Sequence, residues 1–210
     1  MSQAETIYEA HHKARRAPGF SILKDDRGAF IREAVGTGKR ILDIGCRDGA
    51  LTRTFMEGNT VTGVDVDREA LARAGELGIE AIQMDLLGDW EELGDRQFDA
   101  VVAGEILEHL YFPEQVVCKI RSRLKEDGVL VGSVPNAFSL KNRLRYLRGT
   151  KKHTPLSDPT HINQFSAPEL EALLARHFRE VTVTGLGRYT RLAKLSPNFF
   201  AFDLAFVARP

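Results

Sequence analysis

Compact apolar runs alternate with amphipathic stretches between residues 40 and 134, and this alternation predicts a parallel sheet covered by helices. Strands are predicted at 40–44, 60–65, 79–84, 98–103 and 128–134. Helices are predicted between them at 48–57, 67–77 and 113–126, with a short turn near 88–93. Glu69 and Arg73 form an i,i+4 acid-to-base pair that supports the second helix. Pro113 suits the first turn of the third, and Asp127-Gly128 suits its end. Residues 1–38 carry a helical, amphipathic pattern broken at Pro18-Gly19 and stopped by Gly36-Thr37-Gly38. The chain therefore divides into an N-terminal helical lid, 1–38, and a main domain, 39–210.

The pattern changes after residue 135. A basic helix is predicted at 137–148. Residues 149–165 show no apolar periodicity and are expected to form a long loop, so that about 136–166 is an insertion on the substrate side. A helix at 167–176 has Ser166 as its N-cap, Pro168 near N1 and Glu169 at N3. Val181–Leu186 and Phe199–Ala208 are predicted as two antiparallel strands at the sheet edge, joined by a polar, basic connection over 187–198.

Composition narrows the function classes. With 210 residues, 43% of them hydrophobic, the chain can bury a core. Lys+Arg and Asp+Glu are both 29, so a formal net charge of +0 argues against a global grip on nucleic acid or an anionic membrane. No apolar run approaches the ~18 residues of a transmembrane helix, and the N-terminus has no secretory h-region. Cys46 and Cys118 lie far apart without CxxC spacing, so a reducing, cytoplasmic setting is expected.

The chemistry concentrates where the predicted strands end. In a parallel sheet, ligands bind outside the carboxyl ends of the strands. The first strand delivers Asp43-Ile44-Gly45 into a turn. The second ends at Asp65, placed to accept hydrogen bonds from ribose hydroxyls. The third leads into Asp85-Leu86, an acid for an exocyclic adenine amine and an apolar side chain for its ring. Asp43-x-Gly45-x-Arg47-x-Gly49, Asp65, Asp85 and Phe98-Asp99-Ala100-Val101-Val102 together resemble the class I S-adenosylmethionine-dependent methyltransferases over about residues 38–208. The resemblance implies a Rossmann-like α/β fold, with a seven-stranded sheet of order 3-2-1-4-5-7-6 and an antiparallel last strand. It assigns cofactor contacts to Asp43, Gly45, Cys46, Gly49, Asp65, Val66, Asp85, Leu86 and Ala103. A dinucleotide-binding turn fits less well, because only Gly45 and Gly49 are present and the Asp43 carboxylate would repel a pyrophosphate.

After the fourth strand comes Glu105-Ile106-Leu107-Glu108-His109. On a helix, Glu105, Glu108 and His109 would share one face. Two carboxylates and an imidazole suit a divalent metal such as Mg or Mn, or a general base with an orienting partner. The run resembles the ubiquinone-biosynthesis O-methyltransferases and the small-RNA 2′-O-methyltransferases, and the long loop with Val134-Pro135-Asn136 also resembles the methionine-biosynthesis W family. Resemblance adds His161, in Pro159-Thr160-His161-Ile162-Asn163-Gln164-Phe165, as a further ligand or base. The metal set is then Glu105, Glu108, His109 and His161, and the catalytic set His109, His161 and Glu105. Metal binding, an acid/base role without metal, and plain packing all stay open on sequence alone.

The expected activity is methyl transfer from S-adenosylmethionine, giving S-adenosylhomocysteine, with the His-rich site favouring oxygen on a small molecule. Alternatives are a non-catalytic cofactor-binding partner and an RNA-end 2′-O-methyltransferase. Arg143, Arg145, Arg148, Lys151 and Lys152 read either as a solvated face or as a contact for an anionic substrate. Tyr8, His11 and His12 of the lid are further substrate contacts. Cysteine nucleophile chemistry is not expected. Arg47 replaces the usual middle glycine and is expected at negative φ, its guanidinium turned toward Asp48 or solvent, away from the sulfonium.

Overall fold

The computed structural model describes residues 18–151, 160–187 and 190–210. The lid contacts Tyr8, His11 and His12, and also Lys152 and Pro159, lie outside the described residues. Seven strands form one sheet: β1 (Arg40–Ile44), β2 (Thr60–Asp65), β3 (Glu80–Gln83), β4 (Phe98–Gly104), β5 (Leu124–Pro135), β6 (Glu180–Leu186) and β7 (Asp203–Arg209). Their order is β3-β2-β1-β4-β5-β7-β6, as the resemblance implied. Only β7 runs antiparallel, to β5 on one side and β6 on the other. The helices are α1 (Lys24–Val35), α2 (Arg68–Glu76), α3 (Pro113–Arg123), α4 (Leu140–Leu147), α5 (Ala167–Ala175), α6 (Thr190–Leu195) and α7 (Pro197–Phe200).

Both faces of the sheet are covered, which is why the central strands read as nearly continuous apolar runs. On β1, Leu42 and Ile44 enter one core with Val101, Leu130 and Phe206. Ile41 enters the other with Val61, Val102 and Val131, and there α1 contributes Ile31 and Val35. Residues 24–35 of the expected lid are thus part of the layer that covers the sheet.

Three elements differ from expectation. The helix expected over 48–57 is reduced to a 3-10 turn, Thr52–Thr54. Arg47 and Gly49 hold φ of 51° and 73°, so a right-handed run cannot begin before residue 50. The α3 helix stops at Arg123 because Leu124 is extended and pairs with Phe98; Asp127-Gly128 then lie inside β5 at a register shift. The 187–198 connection contains α6 and the start of α7, and Pro197 at the first turn of α7 delays β7 to residue 203.

The helix after the loop forms as read, and its entry is a capping box. Ser166 Oγ accepts from Glu169 N, and Glu169 Oε2 accepts from Ser166 N at 2.9 Å. This fixes the entry of α5, whose Leu170 and Leu174 are buried in the larger core. Ser166→Ala should lower unfolding stability by about 1 kcal/mol. A urea midpoint unchanged at constant slope would show that the cap contributes nothing.

Candidate active site

The ends of β1 and β2 form one hydrogen-bonded corner. Gly45 N and Cys46 N both donate to Val64 O, at 2.8 and 3.1 Å. Gly45 has φ 72°, and a Cβ there would lie 2.6 Å from Ile106 Cδ1, so conformation and space both demand glycine. Asp65 closes the corner: its Oδ2 accepts from Arg47 N and its Oδ1 from Asp67 N, both at 2.9 Å. The first of these bonds explains a correction. Arg47 takes positive φ, not negative, because its amide is drawn to Asp65. Its guanidinium does turn toward Asp48, with Nη2 3.7 Å from Asp48 Oδ2, while Nη1 donates to Phe20 O at 3.1 Å. It is buried, not solvated. Gly19 N also donates to Asp48 Oδ2, at 2.7 Å, so the chain before α1 lies on this turn.

The other cofactor candidates line the same edge. Asp43 is buried, and Thr52 Oγ1 donates to its Oδ2 at 2.6 Å. Burial pushes the Asp43 carboxyl up to about 7, the Thr52 bond opposes this, and the Asp65 charge adds to it. Gly49 N closes the turn on Cys46 O at 3.0 Å. The Cys46 thiol is buried, and burial pushes it well up, so it stays protonated as a nucleophile would not. Val66 O accepts from Gln83 Nε2 at 3.1 Å. Asp85 is exposed with its Oδ1 on Leu87 N, and Leu86 is buried beneath it. Ala103 is fully buried near the end of β4.

Beyond β4 the backbone is not an α-helix, so the shared helical face expected for Glu105, Glu108 and His109 does not exist. Glu105 has φ 61°, and Leu107–His109 is a 3-10 turn. Glu105 Oε1 accepts from Ser133 Oγ at 3.2 Å, and Glu105 is not among the residues whose ligand atoms converge. Those are Glu108, His109 and His161, all buried, with one ligand atom each within 4.8 Å of the others. The return leg of the long loop brings them together. Ile162 N and Asn163 N both donate to Glu108 O at 2.9 Å, and Asn163 Nδ2 donates to Leu107 O and Leu110 O. His109 Nδ1 lies 2.7 Å from Thr160 O. A carbonyl only accepts, so Nδ1 carries the proton and Nε2 is the acceptor nitrogen. Nε2 is 3.8 Å from Glu108 Oε1, and the two imidazoles meet edge-on at 4.7 Å. Neither Glu108 oxygen has a hydrogen-bond partner among the described residues. Burial pushes Glu108 well above the carboxylate range, and Glu105 adds to the shift.

Two charged residues at this edge escaped the sequence reading. Arg27 of α1 is buried, with Nη1 on Ile22 O at 3.0 Å, and a Cβ at Gly104 would come within 2.9 Å of its Nη2. The available signal was its i−4 spacing from Ile31 on the apolar face of α1. Asp203 opens β7 and is fully buried; burial pushes it up to about 8, and Glu105 adds to this. The basic stretch is partly engaged locally. Arg143 Nε donates to Phe138 O at 2.7 Å and its guanidinium lies 4.7 Å from the Phe199 ring centroid, while Arg145 donates to Asn142 Oδ1 at 2.9 Å. Among the described residues no helix is long and apolar enough to cross a membrane.

A family model described as a methyltransferase domain matches residues 12–177. The chain is 36% identical over 118 residues to a ubiquinone biosynthesis O-methyltransferase of Salmonella paratyphi A, covering 52% of this chain and 49% of that protein. A Nitrosococcus oceani protein of the same name is 27% identical over 187 residues, 79% of this chain and 76% of that one. The chain spans about half the length of the first curated relatives it matches. A SAM-dependent methyltransferase from Archaeoglobus fulgidus shares the fold with TM-score 0.69 at 21% identity, covering 97% of this chain and 99% of that one. With the acid-ended strands, the glycine corner and the 3-2-1-4-5-7-6 sheet, these matches place the chain in the class I S-adenosylmethionine-dependent methyltransferase family.

Proposed function

We propose that this protein transfers the methyl group of S-adenosylmethionine to an oxygen of a small-molecule acceptor, at a centre built from Glu108, His109 and His161 that holds Mg or Mn. One observation carries this reading: three buried ligand side chains converge, with the Glu108 carboxyl oxygens lacking hydrogen-bond partners among the described residues. Glu108 supplies the carboxylate oxygen that Mg or Mn favours, the two imidazoles would complete a mixed oxygen and nitrogen set, and the His109–Thr160 bond supplies the outer contact that fixes a ligating ring. The names of the matched relatives support oxygen as the methylated atom. The formal net charge of +0 and the local engagement of Arg143 and Arg145 favour a small molecule over an RNA end.

The donor lies along the β1–β4 edge. Asp65, a carboxylate at the end of β2 that already receives the amides of Arg47 and Asp67, also receives the ribose hydroxyls. Asp85 takes the adenine amine, Leu86 supports the ring, and Gly45 permits close backbone approach. The Arg27 guanidinium receives the donor carboxylate. The acceptor hydroxyl is held in line with the methyl, about 3 Å away. When bound, the ion lowers the pKa of a coordinated hydroxyl. Glu105, held by Ser133 beside the β4 end, receives the released proton.

A second reading needs no ion: the His109–Thr160 bond also orients Nε2 as a general base. Mn²⁺ titration followed by electron paramagnetic resonance separates the two. Wild-type protein should bind one Mn²⁺, and Glu108→Gln should weaken it at least tenfold, as loss of a charged ligand does. No bound Mn²⁺ in folded wild-type protein would remove the metal and leave the base.

A further inference from the structure

The sheet edge carries more buried acid than base. Asp43, Glu108 and Asp203 are buried there and Glu105 is half-buried, whereas among the described residues Arg27 is the cation that acts on Asp43, Glu108 and Asp203 alike. Arg27 donates to the neutral acceptors Ile22 O and Ser21 Oγ, and its Nε has no partner among the described residues. The most exceptional member is Asp203. It is 0% exposed, and neither carboxyl oxygen has a hydrogen-bond partner among the described residues. Its register fixes its place: it pairs with Pro135 of β5 and Leu186 of β6 at the carboxyl edge of the sheet. Leu204, Phe206 and Ala208 fill the larger core, so alternation puts Asp203 on the opposite, α1 face. Ser133, opposite Ala205 in the same register, binds Glu105 there, and Arg27 reaches over Gly104. A buried acid kept only for stability would be partnered, because an unmet carboxyl in the interior is costly. Unmet oxygens beside further acids match a positive charge that arrives with a ligand.

We propose that half-buried Glu105, with fully buried Asp203 acting through space behind it, forms a charge-reading wall of the donor site that recognises the positive sulfonium of S-adenosylmethionine. This rests on the donor-site half of the proposed function, not on its metal or its acceptor. During transfer the carbon–sulfur bond breaks with its electron pair left on sulfur, while the new bond takes an electron pair from the acceptor oxygen, whose proton passes to the base. The sulfur becomes neutral, so the attraction that held the donor is absent from the product. The wall thus favours exchange of product for fresh donor. An ammonium on an acceptor would satisfy the same acids, and the test separates that source.

The experiment is calorimetric binding of three probes to the ligand-free protein: S-adenosylmethionine, neutral-sulfur S-adenosylhomocysteine, and sinefungin, which carries an amine where the donor carries its methyl. Asp203→Asn keeps the volume and removes the negative charge that the carboxyl can take up when a sulfonium binds. We expect it to weaken the donor and sinefungin five- to tenfold and to change the homocysteine analogue less than twofold. Glu105→Gln should act in the same direction and gives the test if Asp203→Asn fails to fold. Equal weakening of all three probes would show a structural role and overturn the proposal. So would unchanged affinities for all three, which would leave an acceptor cation as the partner of Asp203. Wild-type protein that binds none of the probes would overturn the donor-site reading as well. Binding of all three without a charge-selective effect would sink this inference alone.

Discussion

Asp65→Ala should weaken S-adenosylmethionine binding by two orders of magnitude or more. The proposed ribose contacts would lose two hydrogen bonds to a charged acceptor, each worth about 1.5–3 kcal/mol. A second effect adds to the first. Asp65 also receives the amides of Arg47 and Asp67, so the variant frees the β1 turn from the β2 end. With that anchor gone, nothing in the Arg47 side chain favours φ of 51°, and the turn relaxes toward a conformation that no longer presents Gly45 and Gly49 as a cradle. Asp65→Asn is the informative partner. It keeps the volume, and its oxygen can serve one amide, but its NH₂ then confronts the second N–H. Calorimetric affinity should therefore fall in both variants, with a smaller loss of melting temperature in Asp65→Asn. Retained affinity in either would show that the ribose lies elsewhere and that Asp65 is only a turn anchor.

The Asp65 bond also shows which features were legible in the sequence. The sheet could be read because a strand buried on both faces is an apolar run, and an acid at its carboxyl end marks the ligand edge. Asp43, Asp65 and Asp85 stand near the carboxyl ends of β1, β2 and β3, where the strand pattern put them. The helix expected at 48–57 failed because the conformation of Arg47 is decided by an acid 18 residues away in sequence. Local propensity carries no trace of such a contact. Glu105 stands apart from the converging ligand atoms for a related reason. Its spacing from Glu108 suits a helix, but its amide is taken by Ser133 O at 2.9 Å and its backbone turns left-handed. Glu108, His109 and His161 still converge, because Asn163 fastens the loop to the 3-10 turn, which spacing along the chain does not reveal. Arg27 and Asp203 are the opposite case: single charges on faces whose burial is evident only once the register of α1 and β7 is known.

The ligand-free protein should lose stability as pH rises from about 4 to about 8. Asp43 carries a part of this that a single variant isolates. Its carboxyl titrates at about 7 in the folded protein against an ordinary value of 3.8. Between those values the folded chain keeps a proton that the unfolded chain has released. The contribution is complete below the unfolded value and falls as pH rises through the folded one. About three units correspond to roughly 4 kcal/mol. That is a large share of the ~5–15 kcal/mol that holds a domain together. Asp203, pushed up to about 8, acts in the same direction and extends the window upward. Asp43→Asn separates the two acids. It mimics the protonated acid, still accepts from Thr52 Oγ1, and cannot ionise. Its melting temperature should exceed that of wild type at pH 8, the two should converge toward pH 4, and its slope between should be shallower. S-adenosylmethionine should flatten the wild-type slope, because a bound sulfonium favours the ionised acids that the empty protein disfavours. Equal slopes for wild type and Asp43→Asn would show that Asp43 is already ionised in the ligand-free protein, and that Thr52 and Arg27 outweigh its burial.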